Sequence, residues 1–383
     1  MDKIDIYLSF LRWCLSGKDA SEAEAFIHDI NWHELKKFAK KHNIVGLCWN
    51  GIQRGLKLQD IEVLDWMSSS IRIPKVNKRV FEQCVELTEY LKEKGFRSCI
   101  LKGQGNSLLY PDAYSRNPGD IDIWIEGGRD KVIDFICKVS NPGEVVYHDI
   151  DFPYFEDIDV EAHFIPAYLE NPFLNRKLQK YIASVADDQF SNQVEAPDGI
   201  GKFYMPTLEF NLLFQMLHLD KHLRTEGIGI RQLIDYYFLL KELDKSRKAG
   251  KTNCPTNEQI VHLFKEFKVH KFAKAVMYVL HNVLGLEESY LITQTDEKEG
   301  KFLFDEMLKS GNFGQSDERL QIVRKTKGMS KFIELEKFKL RLISHYPSEV
   351  IWMPFHDLYV HYFYIKRYQK KYHLEGKKKK KTM

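Results

Sequence analysis

Six cysteines, at positions 14, 48, 84, 99, 137 and 254, are scattered along the chain without one C-x-x-C pair. That pattern excludes a disulfide scaffold, argues against a cysteine-rich zinc module, and makes a reducing cytoplasm the expected compartment. Glycine (22) and proline (12) are too few for a collagen-like or low-complexity chain. Neither charge sign dominates: 57 Lys+Arg face 54 Asp+Glu, for a net +3. Five of those positive charges are the consecutive lysines Lys377 to Lys381, so the rest of the chain carries −2. A uniformly basic nucleic-acid-binding surface is therefore not implied. No window reaches the roughly 18 uncharged apolar residues of a spanning helix, so no integral membrane association is expected. The opening MDKIDIYLSFLRW has Asp2 and Asp5 where an export signal needs positive charge, and Arg12 interrupts its apolar stretch.

What is present suffices for a packed core. Of 383 residues, 44% are hydrophobic and 13% aromatic, which excludes disorder. At roughly 150 residues per domain the length suggests two or three units. The first 70 residues read as short helices, with Asn31 as N-cap before WHELKKFAKKH. A stronger helix is expected after Pro74, with Val80, Cys84, Leu87, Tyr90 and Leu91 in one stripe and Gly95 at its end.

The character changes at Phe96. RSCILKG reads as a buried strand, QGNSLLY as one or two helical turns, and Tyr110 to Gly119 as a loop. IDIWIE is a strand, RDKVIDFICKVS an amphipathic helix, and VVYHD and DIDVEAHF two further strands. From Pro206 onward the pattern is helical, and the last helix, about 354–373, mixes aromatics with Lys and Arg.

The segment with chemical content is ILKGQGNSLLYPDAYSRNPGDIDIWI, residues 100–125. Asp120 and Asp122 stand two apart on a strand, so both project from one face while Ile121 and Ile123 bury the other. Carboxylates this close repel unless a cation lies between them. Mg²⁺, which takes carboxylate, phosphate and water oxygens, suits them, and Mn²⁺ can substitute. Glu161, flanked by Val160 and Ala162, is the best third carboxylate, with Asp157 and Asp159 as competitors; His163 shares its face. Upstream, Lys102-Gly103-Gln104-Gly105 follows a strand and opens a helical turn, a place where backbone N–H groups can meet phosphate. Lys102 and Ser107 could add donors, and Arg116 could reach the same phosphates bidentately.

The string LKG, then LLYPD, then R-x-x-GDIDIW, then V-E-x-H-F, resembles the uncharacterised nucleotidyltransferase family of the DNA polymerase β-like superfamily. The resemblance covers about 96–165 well and extends weakly to about 240. It implies an α+β fold, a small mixed sheet with helices on one side, flanked by N-terminal helices and a C-terminal all-helical domain. On this reading residues 1–74 are an N-terminal helical region, 75–200 the nucleotidyltransferase core, 201–374 the helical domain and 375–383 a basic tail. The resemblance implies Asp120, Asp122 and Glu161 as metal ligands and magnesium-dependent transfer of a nucleotide from an NTP. Lys102, Gly103, Gly105, Arg116 and His163 would serve nucleotide binding. Many superfamily members carry Gly-Ser in the first motif, where this chain has Lys102-Gly103 and Gln104. The acceptor hydroxyl is open between sugar, lipid head group, small molecule, RNA and protein. The alternatives are an inactive nucleotide-binding or regulatory protein, or a toxin–antitoxin or defence enzyme acting on tRNA or protein.

Two other patterns have blander readings. His218 and His222 are spaced i, i+4, but Leu219 replaces the Glu of a zinc-protease signature, and the pair is expected to line a cleft. Arg231 and Asp235, also i, i+4, are expected to form a helix-surface or interdomain pair, with a substrate role as the alternative.

Overall fold

The structure is a computed structural model that describes residues 3–54, 56, 60–143, 145–252 and 254–372. The lysine run and the basic tail lie outside the described residues. The chain divides into two units, each assembled from three stretches: 1–78, 106–117 and 215–341, and 79–105, 118–214 and 342–383.

The first unit is helical. Its N-terminal helices include Lys3–Ser16, Trp32–Lys41 and Val45–Gln53. The Trp32–Lys41 helix begins where its sequence says it should, because the Asn31 side chain accepts from the Glu34 N–H at 3.1 Å. Ile230–Lys248 is buried on nearly all sides, from Ile230 to Leu240 without a break. A buried polar network sits within this unit. Arg116 Nε and Nη2 donate to the two oxygens of Asp235 at 2.8 Å each, and Tyr110 Oη donates to Oδ1 at 2.7 Å.

The second unit is α+β. A four-stranded mixed sheet has the order β1-β2-β4-β3, with β1 Ser98–Ile100, β2 Ile121–Ile125, β3 Asp149–Asp151 and β4 Val160–His163. β2 and β4 are parallel; β1 and β3 run antiparallel to their neighbours. A hairpin of β5 Gln193–Glu195 and β6 Lys202–Tyr204 forms a second sheet. The β-branched run of β2 is buried throughout, as an inner strand of a small sheet requires. Rings of Phe96, Phe135 and Phe152 cluster beside the sheet, with Tyr90 against Phe135. Trp124 packs on Phe190 of the Pro172–Ser191 helix.

Two elements differ from the sequence reading. The long helix spans Arg72–Glu93 and so starts before Pro74, because a proline in the first turn sacrifices no intrahelical bond. VVYHD is not a strand: Val145 makes one isolated bridge to Ile150, residues 147–148 bend, and the ladder begins at Asp149.

Candidate metal centre

Register brings the acids together. In the parallel β2–β4 pair Asp122 stands opposite Glu161 and Trp124 opposite His163. Alternation buries Ile121, Ile123, Val160 and Ala162 on one face and puts Asp122, Glu161 and His163 on the other. One donor atom from each of these three lies within 4.8 Å of the others. His163 Nε2 is 3.0 Å from Asp122 Oδ1 and 3.9 Å from Glu161 Oε2. Lys102, in the turn after β1, places Nζ 3.2 Å from the same Asp122 Oδ1.

Asp122 is 1% exposed, and its second oxygen, Oδ2, is buried with no hydrogen-bond partner. A buried carboxylate oxygen left so is costly. A divalent cation held by oxygen donors would satisfy it, so the donor set fits one.

The electrostatics agree with that fit. Burial raises the Asp122 carboxyl, but Lys102 and His163 outweigh it and hold the group below the usual carboxylate range. Burial, then the charges of Asp122, Asp149 and Asp120, push Glu161 far above that range. Its side chain is 39% exposed, so solvent moderates the effect. Burial lowers Lys102, but Asp122, Asp120 and Glu161 together raise it to about 12, so its ammonium stays charged. Three acids facing one lysine make a cluster with an excess of negative charge.

The remaining sequence candidates fall as follows. Asp120 lies one residue before β2, half-buried, and its charge acts on both Glu161 and Lys102. Gly103 adopts φ +65°, a conformation that disfavours any side chain, and a Cβ there would rest 3.5 Å from the Asp120 carbonyl oxygen. Gly105 belongs to the single turn Gln104–Ser107, and a Cβ would touch Met205 at 3.4 Å. Arg116 has its guanidinium committed to Asp235 in the helical unit, a pairing 119 positions apart that no local pattern announces. Asp157 meets Gln83 and Arg79, and the Asp159 carbonyl accepts from the Ile121 N–H. Asp149 and Asp151 were missed: as register partners of His163 and Glu161 they border the cluster. Their D-x-D spacing matches that of Asp120 and Asp122, and was the available signal.

The sequence model of the family described as Uncharacterised nucleotidyltransferase matches residues 28–285, more than half of the chain. The chain belongs to that family. Neither a curated protein nor a solved structure matches it. The match spans β1 to β6 whole, so Asp122, Glu161 and His163 lie inside it. It also takes in the helices Leu208–Thr225 and Ile230–Lys248. There His218 and His222 face each other with 2.8 Å between their Nε2 atoms, and His222 packs on Phe313. Arg231 bonds the Asn117 carbonyl at 3.2 Å, while Asp235 is taken by Arg116. Among the described residues no helix is long and apolar enough to cross a membrane.

Proposed function

We propose that this nucleotidyltransferase-family chain is a metal-dependent enzyme that moves an NMP from an NTP to a hydroxyl acceptor, releasing pyrophosphate. One observation carries the reading: Asp122, with a buried orphan oxygen, and Glu161 and His163 converge on one sheet face within 4.8 Å. Asp120, Asp122 and Glu161 would hold Mg²⁺ or Mn²⁺. Such ions, when bound, neutralise triphosphate charge and act as Lewis acids on phosphoryl oxygen.

The chain's own groups do the rest. Lys102 keeps its charge and, once released from Asp122, can neutralise a phosphate oxygen. Gly103 gives the turn the backbone freedom to bring N–H groups towards phosphate. His163 Nε2–H donates to Asp122 and holds the carboxylate in orientation. The acceptor oxygen forms a bond to the α-phosphorus, the α–β bridging bond breaks, pyrophosphate leaves with the electron pair, and the acceptor proton passes to water. Positioning and charge neutralisation supply the rate. Arg116 is omitted from the phosphate ligands because its Nε and Nη2 donate to the two oxygens of Asp235.

The test is incubation with each α-labelled NTP and Mg²⁺ or Mn²⁺, against cell extract and total RNA. Label should enter one acceptor fraction with the wild-type chain. Asp122→Asn should lower transfer by ~10³-fold or more, the several kcal/mol that a metal site contributes. Equal labelling by both proteins would overturn the assignment.

A further inference from the structure

The acid cluster is not the whole of the cation chemistry on this sheet. His148, Asp149 and His163 also each offer a donor atom within 4.8 Å of the others. The backbone builds this second group. Asp149 is the register partner of His163 in the β3–β4 ladder, and the His148 carbonyl accepts from both Phe164 N–H (3.1 Å) and Ile165 N–H (3.2 Å). These bonds pin the His148 turn beside the end of β4. The imidazoles of His148 and His163 stand 5.4 Å apart, and His148 Nε2 is 3.1 Å from Asp149 Oδ2. Tyr168 lies 5.0 Å from the His148 ring, giving that side of the group an aromatic wall.

His163 links the two groups. Its Nε2 is engaged by Asp122, which selects the tautomer that leaves Nδ1 as an acceptor. That Nδ1 is buried and has no hydrogen-bond partner, on a side chain only 7% exposed. A carboxylate on one imidazole nitrogen with the other nitrogen open is the outer arrangement that metal-ligating histidines use.

We infer that His148, Asp149 and His163 form a second cation site, for a divalent first-row transition ion such as Zn²⁺ or Co²⁺. Two imidazoles and one carboxylate favour such ions over Mg²⁺, which prefers oxygen donors alone. Three protein ligands leave at least one position for water or a substrate oxygen. The ion would tie β3 to β4 and hold the His163 tautomer that serves Asp122. The inference rests on this geometry and stands whether or not the chain transfers nucleotides.

X-ray absorption of the full chain loaded with one equivalent of Zn²⁺ tests it without any variant. Two imidazole scatterers in the inner shell are expected. An inner shell with one imidazole or none would place the ion in the acid cluster and overturn the inference. Co²⁺ titration followed by visible absorption gives the second arm. His148→Ala and Asp149→Asn should each weaken binding of the first equivalent of Co²⁺ by ~10-fold or more. Co²⁺ affinity that survives His148→Ala and Asp149→Asn but is lost in Glu161→Gln would also overturn it. Failure of nucleotide transfer in the wild-type chain, with the two-imidazole signature present, would refute the enzymatic reading and leave this site standing.

Discussion

At the residue scale, Glu161 carries the most unusual charge state. Burial and three neighbouring carboxylates raise its pKa, so the folded, metal-free chain holds a proton there that the unfolded chain has already lost at neutral pH. Stability therefore falls as pH rises from the ordinary glutamate range towards the raised value, because the native state binds more protons than the unfolded one. Glu161→Gln removes that liability. The variant should melt at or above the wild-type temperature in chelator at about pH 8, and the gain should shrink by about pH 5. A lower melting temperature at both pH values would contradict the assignment. The same proton must leave when a cation binds, so Mn²⁺ affinity should rise with pH between about 6 and 8.5 in wild-type protein. A flat titration over that range would mean that Glu161 is not a ligand. Asp122 behaves oppositely: Lys102 and His163 hold it ionised, so it is ready for a cation at any physiological pH.

At the element scale, local rules and long-range pairings separate cleanly. Asn31 is legible because a cap acts on the N–H three residues on, and Asn31→Ala should cost ~1 kcal/mol in denaturant unfolding. The β2 strand and the shared face of Asp122 and Glu161 are legible too, since alternation is a property of adjacent residues. The β3 strand was misplaced within VVYHDIDF because β-branched Val145 and Val146 outweighed the polar D-x-D that pairs with β4. That error hid His148 and Asp149. The Arg116–Asp235 pair was equally out of reach, because only the packed fold brings the Tyr110–Arg116 loop to the Ile230–Lys248 helix. Arg116→Met should destabilise the chain by ~3–5 kcal/mol by leaving Asp235 buried without its bidentate partner. Adding Asp235→Leu should recover most of that loss in the same unfolding assay. A neutral single variant would show that the pair is open to solvent.

At the scale of the whole molecule, the nearly neutral composition conceals an uneven distribution of function. The +3 comes from lysines at one end, whereas Asp120, Asp122 and Glu161 act on Lys102 in the sheet unit, with Asp149 and Asp151 on the neighbouring β3. The family match covers this sheet and the helices as far as Gly285, and the candidate metal donors lie well inside it. Each unit is built from three separate stretches of chain, so no single cut in the sequence isolates the sheet with its long helix. The central claim, that this sheet face transfers a nucleotide, is tested most directly by paired reactions with α- and γ-labelled NTP. The account predicts that the α-label enters the acceptor, that the γ-label leaves as pyrophosphate, and that Asp122→Asn abolishes both. Transfer of the γ-label to the acceptor, or α-label transfer undiminished in Asp122→Asn, would contradict it.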